Sequence, residues 1–230
     1  MEENPNPSTP SFEASIEAGN IPRPTFEFQH LRWRIGGPIS TAVRVLNDPT
    51  DPNSPQEAYQ TSTSAYHTIS TSPITKPPIS SISVSVDELD RWEEDWGEAH
   101  EPHAPDEADW DSETEKGDSE PKLRTCCGEH RPKGPPPLLV SASTRPYVTV
   151  HDFVTAVHPW ISQFEDDIRR LLGIIEGERL PSHIDLFVNF LGLSPLRITA
   201  PRLYNDHAEY FEKRWSLIAA IARKYRDGLL

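Results

Sequence analysis

Cysteine is close to absent from these 230 residues, and the two that occur, Cys126 and Cys127, are neighbours in the chain. Adjacent cysteines are too close in sequence for an ordinary disulfide, and two are too few to staple a small secreted fold. Long apolar runs are missing too: nothing approaches the roughly 18 residues that mark a bilayer-spanning helix. Met1, Glu2 and Glu3 lead into a proline-rich stretch that lacks the basic and apolar regions of a secretory signal. Positive charge is short as well, with 22 Lys and Arg against 36 Asp and Glu, a net charge of −14. Nucleic-acid phosphate is held by clustered basic side chains, and the chain has no such cluster, so direct DNA or RNA binding is not expected. These absences describe an intracellular protein of the cytoplasm or nucleus that makes no membrane contact.

What the chain has in plenty is proline, 24 residues of it, of which 19 precede residue 138. Residues 1–137 also carry 25 Asp and Glu against 11 Lys and Arg, whereas residues 138–230 balance at 11 and 11. Proline-rich, uncompensated acidic sequence has little apolar area to offset about 1–2 kcal/mol of backbone entropy per ordered residue. The fold class expected is therefore a mostly disordered N-terminal half followed by a small, mainly α C-terminal domain, α+β if a short sheet joins it. Residues 1–24 read as a tail, 25–46 as one or two strands docking on the C-terminal domain, 47–137 as an acidic linker and 138–230 as the helical domain.

Within the acidic half three stretches hold apolar pattern. Phe26, Phe28, Leu31, Trp33 and Ile35 alternate with Glu27, Arg32 and Arg34 until Gly36, Gly37 and Pro38 break the period, as in a half-buried strand. Ile82, Val84 and Val86 share one face of a short extended run that passes directly into Asp87 and Glu88, a form suited to joining a partner's sheet edge. Leu89, Trp92 and Trp96 follow at helical spacing among carboxylates, with Trp110 further on, the composition of segments whose aromatic side chains dock in a partner's groove. Ile82, Val84, Val86, Leu89, Trp92, Trp96 and Trp110 are accordingly the candidate partner-binding residues.

In the C-terminal part, Leu138–Val140 predict a short strand. Thr149 with Asp152 three residues on predicts the N-terminus of a helix carrying Phe153, Val154 and Val157 and stopping near His158-Pro159. Ile161, Phe164, Ile168, Leu171, Leu172 and Ile175 predict a second, amphipathic helix. Residues 184–191, apolar nearly all round, predict a short central element, a helix in preference to a strand, and a last long helix is expected from Pro201 to Arg226.

Catalytic signatures do not accumulate. Cys126, Cys127 and His130, with His100 and His103, lack the second ligand pair of a zinc site. His151-Asp152 with His158 has the look of a metal-dependent phosphohydrolase doublet but no matching downstream acid, and Gly192-Leu193-Ser194-Pro195-Leu196 departs from a nucleophile elbow. No catalytic, cofactor-binding or metal residue is assigned, and no cofactor is expected.

The stretch from Tyr147 through Val154, Tyr-Val-Thr-Val-His-Asp-Phe-Val, with Val157-His158-Pro159-Trp160 behind it, resembles a group of uncharacterised fungal proteins in which a short strand precedes a helix begun by Val-Thr-Val-His-Asp. The likeness covers part of residues 138–230 and none of the N-terminal half. It implies a lineage-restricted protein with an accessory or interaction role and transfers no site residue. The function expected is that of an interaction or adaptor protein with unidentified protein partners. The alternatives are a transcriptional co-regulator using the acidic segment and an enzyme or small-ligand binder using His151, Asp152, His158 and His207.

Overall fold

The computed structural model describes residues 9–51, 53–62, 65–101, 110–111, 122–174, 180–189, 192–200 and 207–229. Its elements begin with α1 (Phe12–Glu17), β1 (Arg23–Pro24), β2 (Leu31–Trp33), α2 (Ile39–Ala42), β3 (Val43–Leu46), β4 (Gln56–Ala58), β5 (Gln60–Ser62), β6 (Ala65–Tyr66), β7 (Thr75–Lys76) and β8 (Ser81–Val84). Then come α3 (Asp87–Asp90), α4 (Trp92–His100), β9 (Trp110–Asp111), β10 (Lys122–Leu123), β11 (Thr125–Cys126), β12 (Glu129–His130) and β13 (Leu138–Ser141). The chain closes with α5 (Val150–Ser162), α6 (Glu165–Ile174), β14 (Phe187–Asn189), β15 (Arg197–Thr199) and α7 (His207–Arg226). No helix among the described residues is long and apolar enough to cross a membrane.

This is a mixed α/β fold of many short antiparallel strands, which corrects the expected fold class: the N-terminal half is folded, and the protein is not mainly helical. β2, β3 and β4 make a three-stranded sheet in which Leu31 faces Val45 and Val45 faces Glu57. β8 pairs with β13 across the chain, Ile82 opposite Val140 and Val84 opposite Leu138. Single bridges tie Arg34 to Phe187 and Val86 to Leu196. Bulk composition misled because burial depends on position. Leu31, Trp33, Ile35, Val43, Val45, Ile82, Val84 and Val86 are all at most 1% exposed, and each such side chain contributes about 1.5–3 kcal/mol when buried. Proline works in the same direction where its φ suits the loop, since it lowers the entropy that the unfolded chain loses on ordering.

Helix α5 organises the core. Thr149 caps it in a full capping box: the Asp152 N–H donates to Thr149 Oγ1 at 3.1 Å, and the Thr149 N–H donates to Asp152 Oδ2 at 2.9 Å. Its buried stripe of Val150, Phe153, Val154, Val157 and Ile161 faces the β2–β3 side, where Phe28 and Trp33 meet Phe153 edge-on with ring centroids at 5.4 and 6.3 Å. The helix does not stop at His158-Pro159 as expected but carries Pro159 within it to Ser162. Two features support that last turn: Ile161 is fully buried, and the Ser162 hydroxyl lies 2.5 and 2.7 Å from the Ile35 and His158 carbonyls, between which it shares its one proton.

Of the two forms open to the central element over 184–191, the structure takes the strand, β14, rather than the preferred helix. β14 pairs with β15, Val188 opposite Ile198, between the breaks supplied by Pro181 and Gly192. An apolar run this short fits a buried strand as well as a helix, and pairing decided the matter.

Candidate functional site

A polar cleft grows out of the end of β2. Past Trp33, the Arg34 N–H donates to Ala42 O and the Ile35 N–H to Leu186 O, so the chain is held on both sides before it turns at Gly36-Gly37. Gly37 has φ +86°, a left-handed conformation that glycine adopts without strain. A Cβ on Gly36 would lie 2.8 Å from Glu165 Oε2, so only glycine lets the carboxylate approach this closely. Glu165 opens α6, where the helix dipole favours negative charge.

Two ion pairs line the cleft. Arg169, one turn along α6, reaches back to Glu165 Oε1 through Nε at 3.2 Å and Nη2 at 2.6 Å, and its Nη1 donates to the Pro181 and Ile184 carbonyls at 3.0 and 2.6 Å. Its side chain is 5% exposed, so this guanidinium is a buried strut that fixes the 181–186 loop. Arg34 differs. Its Nη1 donates to Asp185 Oδ1 at 3.1 Å, with side chains 36% and 52% exposed, and among the described residues that bond is its one side-chain pairing. The space between them is about 230 Å³ and also touches Ser182 and Leu186. Among the described residues Arg34 keeps unused N–H groups here, while Asp185 Oδ2 and Glu165 Oε2 keep unused lone pairs. Its lining side chains are two guanidinium groups, two carboxylates, the Ser182 hydroxyl and Leu186, so the arrangement sets charges of both signs beside one another.

Among the described residues the histidines do not converge on a reaction centre. Trp33 Nε1–H donates to His158 Nδ1 at 2.9 Å, and His158 Nε2 faces the Gly37 carbonyl at 2.7 Å, which assigns the Nε2–H tautomer. Burial holds the His158 pKa below its ordinary value, against an opposing contribution from that carbonyl. His158 is thus a neutral core link under the glycine turn. Asp152 caps α5 and also accepts from the Ser143 hydroxyl at 2.5 Å; burial raises its pKa, but these hydrogen bonds outweigh it and hold the carboxyl below its ordinary value. His151 stands edge-on to Tyr66 with ring centroids at 4.5 Å. His207 opens α7, and its side chain lies outside the described residues.

The residues singled out for partner binding are mostly turned inward. Ile82, Val84, Val86 and Leu89 are at most 1% exposed in the main core. β8 has β13 on one edge, and on the other the Ser194 hydroxyl donates to Ser83 O at 2.7 Å and the Leu196 N–H to Ser85 O at 2.8 Å. Trp92 is half-buried between the main core and a satellite cluster of Trp96, Leu123 and Cys126, and Trp96 stacks on His100 at 4.3 Å. Trp110 lies in β9 opposite Leu123, with its side chain outside the described residues.

Two further groups stand out. Glu88, within α3, accepts from the Ile198 N–H at 3.0 Å, its Oε2 is buried without a partner among the described residues, and burial pushes its pKa up to about 7. Cys126 and Cys127 bring their Sγ atoms to 3.6 Å. Among the described residues no three His, Cys, Asp or Glu side chains gather as a metal site.

Sequence reasoning missed the cleft. Glu165 and Arg169 are readable as a helical pair, and Gly36-Gly37 as a break, but Arg34 and Asp185 stand 151 residues apart. No protein-family model, curated protein or solved structure matches this chain.

Proposed function

We propose that the protein is a non-enzymatic interaction protein that seats a charged segment of a partner protein in the cleft at Arg34, Asp185 and Glu165. The observation that carries this reading is an exposed guanidinium and carboxylate held side by side at the mouth, each with hydrogen-bonding capacity left over. A partner side chain of either sign finds a complementary group there, and charge-assisted bonds of this kind are the stronger ones. Arg169 and the glycine turn make the site rigid, which lowers the ordering cost of binding. The net charge of −14 favours basic partners at long range and speeds their encounter. Cytoplasm and nucleus are the compartments this reading supposes.

The test is affinity capture with mass spectrometry at physiological salt, comparing the full-length protein with an Arg34→Ala/Asp185→Ala double variant. An exposed ion pair contributes only about 0–1 kcal/mol, so the variant folds and its melting temperature checks that it has. Loss of a captured partner with the fold intact supports the cleft. Equal capture of every partner by both proteins overturns it.

A further inference from the structure

Cys126 and Cys127 sit in a tight hairpin. β11 and β12 pair Thr125 with His130 and Cys126 with Glu129, leaving Cys127-Gly128 as the two-residue turn, with φ +55° and +79°. Positive φ at both positions defines the turn that favours Asn-Gly. A cysteine at the first position strains the backbone in a way that asparagine would relieve, and such local violations cluster at functional positions. Its effect here is visible in the side chains. Cys126 is 4% exposed against Trp96 and Leu123, Cys127 is exposed, and the two sulfurs stand at 3.6 Å across the turn.

That separation suits a single thiophilic atom. Metal–thiolate bonds of about 2.3 Å at a tetrahedral angle put two sulfurs about 3.8 Å apart, and a pyramidal centre with a narrower angle brings them closer still. A trivalent arsenic that already carries one carbon substituent needs two sulfurs and no more.

We infer that Cys126 and Cys127 form a two-thiolate clamp for monosubstituted trivalent arsenicals. The step is a condensation without redox change: two S–H bonds and the arsenic–oxygen bonding of the arsenoxide break, two As–S bonds form, and both thiol protons leave with the oxygen as water. Closure adds little strain, since the sulfurs already stand near the required spacing.

The probe is phenylarsine oxide added to the reduced full-length protein, read by intact mass spectrometry. The expected result is one adduct that survives excess 2-mercaptoethanol and is released by dithiothreitol, with that survival lost in Cys127→Ser and, separately, in Cys126→Ser. The same titration in urea, where the hairpin is gone, is expected to show binding weaker by about tenfold or more, the contribution of pre-organisation. An adduct removed by the monothiol, an adduct kept in either serine variant, or equal affinity in the folded and unfolded chain overturns the inference.

Discussion

Glu88 offers the most direct trial of the folded N-terminal half, because its environment is made by α3 and β15 together. Its carboxyl titrates near 4.5 in the unfolded chain and at about 7 in the fold. The first cause is desolvation by burial; Asp87 pushes the same way, while the Ile198 N–H and Arg197 oppose. Below pH 4.5 both states hold the proton and the site has no effect on stability. Between the two values the unfolded chain has released its proton and the fold has not, so stability falls as pH rises, and above 7 the loss is complete. At about 1.4 kcal/mol per pH unit, the loss is on the order of 3 kcal/mol. Glu88→Gln keeps an oxygen for the Ile198 N–H and places an uncharged amide where the protonated carboxyl had its hydroxyl, so it mimics the neutral form. In urea titrations followed by tryptophan fluorescence, the variant should exceed the wild type by about 1 kcal/mol at pH 5.5 and about 3 kcal/mol at pH 8.5. The difference between the two proteins isolates this group from all others that titrate. A difference that stays constant with pH would refute the burial of Glu88 and the packing of α3 against β15.

Other substitutions probe separate links. Trp33→Phe removes the donor to His158 Nδ1 and some core volume, and should lower stability by about 2–4 kcal/mol in the same urea assay. Asp152→Ala should cost about 1–2 kcal/mol at pH 7. Because hydrogen bonds hold the Asp152 pKa below its ordinary value, that stabilisation is present above pH 4 and disappears as pH falls through the folded value, so the wild type and variant should converge in acid. Cys127→Asn relieves the positive φ in the turn and should raise stability by up to about 1 kcal/mol, read as a higher melting temperature, while losing arsenical binding.

Features set by near neighbours were legible in the sequence, and features set by distant pairing were not. Thr149 and Asp152 lie three residues apart and make their capping box within one turn, so chain-local chemistry determines it. The alternation of Leu31, Trp33 and Ile35 likewise announces a strand. Yet the strand's place in the fold depends on β3, on the Leu186 carbonyl and on His158, none of which the local pattern names. Averaging charge and proline over 137 residues then hid that the acidic half folds around such strands, because a sheet needs only alternate positions to be apolar. The same limit governs Ile82, Val84 and Val86. An extended run with one β-branched face is suited to pairing with an open strand edge, and its physics is identical whether that edge belongs to another molecule or to the same one. Here Leu138–Ser141 supplies the edge within the chain, and Ser194 and Leu196 close the opposite side. With that pairing made at home, the recognition proposed above rests on surface groups that keep hydrogen-bonding capacity beyond their own ion pair. Arg34 and Asp185 are such groups, and only the folded chain brings them together.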